Sequence, residues 1–190
     1  MLKSLVLKNR SYRRFNQDIP VDRETLRELV DLARLSGSAS NRQPLKYFLS
    51  CEAEQNRVIF PHLSWAGYLK EWGVPVEGER PAAYIIILVD KTIAHNVGCD
   101  HGIAAQSILL GATEKGIGGC MIGSVQKPEL AQVLGISDRY EILLVIALGK
   151  PKETVVIEPV GQDGDIKYWR DSQSVHHVPK RSLDDIIIGE

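Results

Sequence analysis

Three short stretches of the chain combine cations, hydroxyls and amides in patterns suited to binding a small anion. The first is the basic segment Asn9–Phe15, which contains Arg10, Ser11 and Arg13. A guanidinium donates two parallel hydrogen bonds to an oxyanion, so this segment predicts contact with a phosphate group. Taken by itself, such a cluster is also compatible with a solvated basic surface.

The other two stretches strengthen the interpretation as an anion site. One is a small, polar loop at positions 37–44, whose candidate contact residues are Ser38, Ala39, Ser40, Asn41 and Gln43. The other is a basic sequence near the C-terminus that contains Lys180 and Arg181. Positive charge is thus concentrated at separate points of the sequence, which favours a small anionic ligand.

The overall composition is that of a globular protein with balanced charge. Its 190 residues suit one domain, 44% of them are hydrophobic, and the formal net charge is −1. We therefore expect no nucleic-acid partner and no membrane partner. The longest apolar run is too short to span a bilayer. We expect no secretory signal, and the simplest expectation is a cytoplasmic location.

Cysteine and histidine spacing predicts no metal centre. Cys51, Cys99 and Cys120 are widely spaced and form no CxxC pair, so neither a disulfide framework nor a zinc site is expected. Cys120 lies in an apolar, glycine-rich stretch, where a buried packing role is favoured over a reactive thiol. The five histidines show no metal-binding spacing.

The sequence predicts an α+β fold in which helices flank a central mixed or antiparallel sheet. An apolar run at 82–90 is typical of a buried central strand. Other predicted elements are helices at 2–9, 22–37, 100–115 and 127–134 and strands at 45–51, 118–125 and 140–148. We expect a single domain over residues 1–190. Its segment 151–190, which shows little periodicity, is expected to form an extended arm that packs on a partner subunit.

The predicted helix at 100–115 has almost no polar face, so it must be buried. A dimer interface and the core of one subunit remain equally open as the place that buries it. Asp100, at its start, is expected to cap the helix rather than to act as an acid. Earlier in the sequence, Trp65, Tyr68 and Trp72 suggest either a lid over a flat ligand or a satellite core.

Together these features resemble the nitroreductase family of FMN-dependent oxidoreductases. The resemblance covers most of the chain and rests on four motifs in order, which are Asn9–Phe15, Gly37–Leu45, Gly102–Gln106 with Gly116–Gly123, and Pro179–Arg181. Asn9, Gly37 and Leu45 depart from the family pattern, which has a basic residue, a proline and a tryptophan there. The resemblance implies a nitroreductase-like fold and an intertwined homodimer with FMN at the subunit interface.

The resemblance also implies a role for each candidate residue. Arg10 and Ser11 would hold the FMN phosphate together with Lys180 and Arg181. Arg13 would lie toward the ribityl chain and the pyrimidine edge of the flavin.

At the ring end, the resemblance implies contacts from two subunits. Ser38–Ser40 would approach the ring from the partner, with Asn41 and Gln43 on the ribityl or pyrimidine side. The backbone at Ile122 and Gly123 would face the reactive nitrogen of the ring. No residue is expected to act as a catalytic acid, base or nucleophile, because a bound flavin supplies the redox chemistry.

The implied activity is the transfer of electrons from NADH or NADPH to a small-molecule acceptor in a ping-pong cycle. The acceptor would be a nitroaromatic, a quinone or a flavin. Two alternatives remain open. One is a flavin-binding protein of the same fold that consumes flavin, dehalogenates, or acts as a sensor or store. The other is a binding module for a different phosphorylated ligand.

Overall fold

The computed structural model describes residues 1–69, 72 and 74–189. Its helices are α1 (Leu2–Lys8), α2 (Arg23–Arg34), α3 (Ala53–Ile59), α4 (Asp100–Glu114) and α5 (Lys127–Val133). Its strands are β1 (Phe15–Asn16), β2 (Leu45–Ser50), β3 (Ala83–Asp90), β4 (Gly118–Ile122), β5 (Tyr140–Pro151), β6 (Val155–Pro159), β7 (Trp169–Arg170) and β8 (His176–Lys180). Short 3₁₀ turns occur at Ala39–Asn41 and Phe60–His62. The predicted α+β class is confirmed.

The centre of the fold is an antiparallel sheet in which β3 lies between β2 and β5, while β1 and β4 also pair with β5. All residues of β3 are buried, as predicted for the central strand. Its side chains alternate between two apolar clusters, since successive residues of a strand point to opposite faces. Ile85 and Ile87 pack with α2 and α4, whereas Tyr84 and Ile86 pack with residues of α3 and α5. Helices therefore cover both faces of the sheet.

Helix α2 begins where the sequence predicts. Asp22 is the N-cap, and its side chain accepts a hydrogen bond from Thr25 N at 2.7 Å. The helix ends at Arg34 rather than at Gly37, so the polar loop that follows starts earlier than predicted. No helix in the described part of the chain has the length and hydropathy needed to cross a bilayer.

Helix α4 turns one face to the core and leaves another exposed. Ala105, Ile108 and Ala112 are completely buried, whereas Ile103 is 43% exposed. Ile103 also lines a surface groove of about 640 Å³ that runs beside the first turns of the helix. The core therefore buries one side of α4. A partner subunit remains the predicted cover for the other side.

The segment after β5 is more regular than its sequence pattern predicts. Strand β8 pairs in parallel with β6 and antiparallel with β7, which gives a small second sheet. This sheet is attached to its own chain, because Arg170 forms an ion pair with Glu153 at 2.6 Å. Beyond it, Leu183, Ile186 and Ile188 are largely exposed. Contact between residues 151–190 and a partner subunit stays a prediction.

Gly119 in β4 is a position where an added methyl group has little room. A Cβ there would lie 2.9 Å from the carbonyl oxygen of Ala147 and 2.9 Å from Leu148 Cδ2. Because a backbone oxygen cannot rotate away, we expect Gly119→Ala to lower the free energy of unfolding by about 1–3 kcal/mol through overpacking. Urea unfolding measures this. Gly37→Ala is the control, since a Cβ at Gly37 has no neighbour within 4 Å. Equal losses in the two variants would contradict the packing argument.

Candidate functional site

The basic segment Asn9–Phe15 lies against the glycine-rich strand β4. Ser11 forms a parallel bridge with Gly119. Tyr12 N donates a hydrogen bond to Gly119 O at 3.0 Å. Strand β4 leads directly to Gly123. The fold therefore brings the basic segment close to the backbone at Ile122 and Gly123, which is predicted to face the flavin ring.

Arg13, Ile122 and Gly123 line one pocket of about 230 Å³, and Trp65 and Tyr168 form part of its wall. The guanidinium of Arg13 lies 4.8 Å from the centroid of the Tyr168 ring, within range of a cation–π interaction. These contacts hold a cation at the edge of a pocket that has aromatic walls.

A second contact of Arg13 returns to its own segment. Its Nη1 donates to the carbonyl oxygen of Ser11 at 3.3 Å. Both groups that contact the guanidinium are therefore neutral, and neither supplies a counter-charge.

Glu153 fixes the backbone of the basic segment. Its side chain is inaccessible to solvent and accepts hydrogen bonds from Arg13 N at 2.5 Å, Arg14 N at 3.1 Å and Arg170 Nη2 at 2.6 Å. Burial raises the pKa of Glu153, but the nearby His176 ring, the Arg13 amide and the Arg170 charge outweigh burial and lower this pKa overall. One buried charge therefore joins the N-terminal motif to the second sheet.

The cations of the basic segment divide into a paired and an unpaired group. Arg14 donates two hydrogen bonds to Glu79, at 2.6 and 2.7 Å, and these bonds lower the pKa of Glu79 to about 2. Arg10 and Arg13, by contrast, have no carboxylate partner among the described residues. Arg10 Nη2 donates to Val6 O at 2.7 Å. Its Nε is buried and has no hydrogen-bond partner among the residues that the structure describes. Arg10 and Arg13 are thus available to bind an anion.

Lys180 and Arg181 follow at the end of β8, where both are exposed. No side-chain ion pair engages either of them within the described ranges. Their shared role with Arg10 at a phosphate remains a prediction.

The loop Ser38–Gln43 has an unusual backbone. Ser40, Asn41 and Gln43 have φ values of 53°, 53° and 52°, in the left-handed region that residues other than glycine rarely adopt. Each such residue costs on the order of 1–3 kcal/mol, and such strain is concentrated at binding and catalytic sites. The loop is also exposed from Ala39 onward to Gln43.

Asp100 holds this loop. Its Oδ2 accepts from Ser38 Oγ at 2.6 Å and its Oδ1 accepts from Ala39 N at 2.9 Å. Ser38 Oγ in turn accepts from Gln43 N at 2.9 Å, which joins the two ends of the loop. The expectation that Asp100 caps α4 is wrong. Cys99 is the N-cap, and both oxygens of Asp100, the first residue inside the helix, are occupied by loop donors.

The predicted site residues fall on two different surfaces of one chain. Arg13 and Ile122–Gly123 share the pocket described above, whereas Ser38 and Gln43 line a separate pocket of about 210 Å³ with Asp100. The fold therefore brings the basic segment and the glycine-rich strand together but leaves the polar loop elsewhere. This separation is what a contribution of the loop to a partner's site would require.

The predicted aromatic lid is partly a core feature. Trp65 is buried in the second apolar cluster and also lines the pocket with Arg13. Tyr68 is 51% exposed, with its ring centroid 5.0 Å from that of Tyr168. Part of the segment 65–73 lies outside the described residues, so the lid hypothesis stays open.

The cysteines contribute no redox pair. Cys120 is 3% exposed, and burial raises the pKa of its thiol, which confirms the predicted packing role. All three cysteines are unpaired. The described residues contain no cluster of three or more side chains suited to a metal ion.

Sequence reasoning missed Glu153, Tyr168 and the true partner of Asp100. Glu153 lies 140 positions from Arg13, its hydrogen-bond partner, so no local pattern could signal the contact. Tyr168 lies in a stretch without periodicity. For Asp100, one signal was available in the sequence. The helix offers almost no polar side chains, so the carboxylate had to find its hydrogen-bond partners outside the helix.

Comparison with known proteins adds a family match. Residues 6–150 match the family model described as Nitroreductase family. The chain is 26% identical, over 176 aligned positions, to the protein YodC of Bacillus subtilis (strain 168), which is provisionally named an NAD(P)H nitroreductase. That alignment covers 76% of this chain and 87% of YodC.

Solved structures share the fold. A nitroreductase family protein from Streptococcus pneumoniae TIGR4 has a TM-score of 0.71 and 20% identity, and the alignment covers 100% of both chains. A protein of Exiguobacterium sibiricum 255-15, provisionally named a nitroreductase, was solved in complex with FMN. It has a TM-score of 0.65 and 18% identity, with 80% of this chain and 89% of that chain covered.

Replacing Glu153 tests its role as the anchor of the basic segment. Glu153→Gln leaves Arg170 buried without its counter-charge, so we expect a loss of about 3–5 kcal/mol in unfolding free energy at neutral pH. The pKa of Glu153 is lowered below its ordinary 4.5. The ionised Glu153 side chain therefore stabilises the fold above about pH 4.5, and this stabilisation is lost as the pH falls through the lowered pKa. Glu153→Gln lacks this titrating group, so acidification should reduce its unfolding free energy less than that of the wild type.

Chemical denaturation across a pH series measures both effects. Glu141→Gln is the control, because it makes the same chemical change at an exposed position near the start of β5. If Glu141→Gln and Glu153→Gln have equal stabilities and equal pH profiles, Glu153 is not the anchor.

Proposed function

Because the chain belongs to the nitroreductase family, we propose that it is an FMN-dependent oxidoreductase that takes electrons from NADH or NADPH. The supporting observation is the division of cations in the basic segment. Arg14 is neutralised by Glu79, whereas Arg10 and Arg13 have no acidic partner in the described part of the chain. A binding site for an anionic cofactor needs such unpaired cations, since the charge of a paired guanidinium is already balanced by its carboxylate.

The phosphate end of FMN fits the residues around Arg10. The Arg10 Nε is buried and has no hydrogen-bond partner among the described residues. A buried donor without an acceptor destabilises the fold, and a ligand oxygen that accepts from it would remove this cost. Ser11 is exposed beside it. Lys180 and Arg181, both exposed, would complete a cage of charge-assisted bonds.

The ring end fits the pocket of Arg13, Ile122 and Gly123. When bound, FMN takes two electrons from a nicotinamide donor and passes them to an acceptor. Arg13 would stabilise negative charge that develops at the pyrimidine edge, and the backbone at Ile122–Gly123 would orient the ring. No acid, base or nucleophile of the chain is required.

A homodimer would complete the site. The loop Ser38–Gln43 lies apart from the Arg13 pocket, so a second copy is the natural source of the loop at that pocket. Two exposed apolar surfaces support association: Ile103 on α4, and the tail that contains Ile186 and Ile188. In this arrangement residues 151–190 would pack both on their own chain and on the partner.

The acceptor would be flat. It would stack on the flavin ring beside the aromatic walls that Trp65 and Tyr168 form, and this setting favours planar nitroaromatics, quinones or flavins. Because donor and acceptor would stack in turn on the same exposed face of the bound flavin, we propose a ping-pong order. The alternative of a flavin protein with another task shares the binding site but not the turnover.

The visible spectrum of the purified full-length chain tests this function. Yellow protein that bleaches anaerobically with NADH or NADPH, and recolours with a quinone or nitroaromatic, is the expected result. Protein that stays colourless and cannot take up added FMN would contradict the proposal. Bound FMN without steady-state turnover would favour the alternative.

Arg10→Ala separates phosphate binding from ring binding. Loss of charge-assisted bonds to the phosphate should weaken FMN binding by roughly 1.5–3 kcal/mol while riboflavin affinity stays close to that of the wild type. Fluorescence titration with both flavins measures the difference. Arg27→Ala is the control, because Arg27 is exposed on α2 and lines neither of the pockets that contain the candidate site residues. An equal loss of riboflavin affinity would show that Arg10 does not contact the phosphate.

A further inference from the structure

The loop Ser38–Gln43 needs an external group to select its shape. Three of its residues, Ser40, Asn41 and Gln43, occupy the left-handed region although none is glycine. Such residues prefer other conformations unless the surroundings hold them. The loop is solvent-exposed from Ala39 to Gln43. Within it, Gln43 Nε2 donates to Asn41 O at 3.2 Å and to Asn41 Oδ1 at 3.1 Å, but these exposed bonds do not tie the loop to the core.

Asp100 provides the restraint from a rigid base. It is 4% exposed and begins α4, whose Ala104, Ala105 and Ile108 are fixed in the core. The helix dipole favours negative charge at the first residue of a helix, and no arginine or lysine of the described residues forms an ion pair with Asp100.

Its two oxygens divide the work of holding the loop. Oδ1 takes the amide of Ala39, and Oδ2 takes the hydroxyl of Ser38, which itself accepts from the amide of Gln43. The two hydrogen bonds that run from Gln43 N to Ser38 Oγ and from Ser38 Oγ to Asp100 therefore connect the two ends of the loop, on either side of Ser40 and Asn41.

We propose that Asp100 is a positioning residue for the flavin: it holds Ser38–Gln43 in the binding-competent shape before the cofactor arrives. The inference rests on the proposed function, because the loop's ligand is taken to be the flavin ring. A loop that is already ordered does not have to be ordered on binding, which raises affinity. Since both oxygens of Asp100 are engaged with the loop, it acts through Ser38 and Ala39 and does not touch the flavin.

Limited trypsin digestion of the full-length chain without flavin reads the loop directly. The exposed bond after Arg42 lies inside the loop, and the exposed bond after Arg181 lies in the tail. Asp100→Asn removes the charge and puts an amide donor where a hydrogen-bond acceptor was needed. Cleavage after Arg42 should therefore accelerate roughly 10-fold or more relative to cleavage after Arg181, as expected for the loss of one charge-assisted hydrogen bond.

Flavin titration supplies the second readout. Because the loop serves the ring end, Asp100→Asn should weaken FMN and riboflavin binding by the same factor, roughly 10- to 100-fold. Arg10→Ala should instead discriminate between the two flavins. Ser38→Ala should reproduce the Asp100→Asn effect, and the double variant should be little worse than either single variant, because both remove the same connection.

Glu114→Gln at the other end of α4 is the matched control, since Glu114 is exposed and remote from the loop. Unchanged cleavage and unchanged flavin affinities in Asp100→Asn would overturn the inference, as would a loss confined to FMN. If Asp100→Asn fails to fold, Ser38→Ala decides by the same two readouts. If the wild type binds no flavin, the proposed function fails. The trypsin ratio alone then decides whether Asp100 holds the loop.

Discussion

The candidate site depends on the burial of a single carboxylate, that of Glu153. It takes backbone amides from the N-terminal motif on one side and a guanidinium from the second sheet on the other. A buried charge is tolerated only when its hydrogen bonds are satisfied, so the surrounding chain must converge on it. That convergence places Tyr168 beneath Arg13 and closes one wall of the pocket. The geometry of the pocket is thus a consequence of providing hydrogen bonds to one buried carboxylate.

The same segment shows how neighbouring arginines acquire different tasks. Arg14 meets a mostly buried carboxylate, that of Glu79, and becomes part of the framework. Arg13 meets a carbonyl oxygen and an aromatic face, neither of which cancels its charge. Charge that remains uncancelled beside a concave, aromatic-walled pocket is what a bound anion needs. The presence or absence of a carboxylate partner therefore distinguishes a structural arginine from a candidate ligand-binding arginine, which the residue type alone does not.

The two halves of the candidate site occupy different surfaces of the chain, and each is fixed by its own acid. Glu153 anchors the basic segment, and Asp100 holds the polar loop. The exposed face of α4 lies next to the loop, because Asp100 begins that helix. A subunit that docks on this face would therefore meet the loop as well. Association and completion of the site would then occur together.

The sequence by itself determined the elements whose signals are local. The apolar run of β3, the start of α2 near position 22 and the apolar helix α4 are all predicted from local residue patterns, and all appear in the fold. Motif order was also sufficient to indicate the family. Tertiary structure alone decided the rest. It gave a second sheet to a segment without periodicity, sent the Asp100 carboxylate across to a loop, and joined Glu153 to Arg13. Each of these depends on a partner distant in sequence, and a hydrogen bond between distant residues leaves no trace in the spacing of either one.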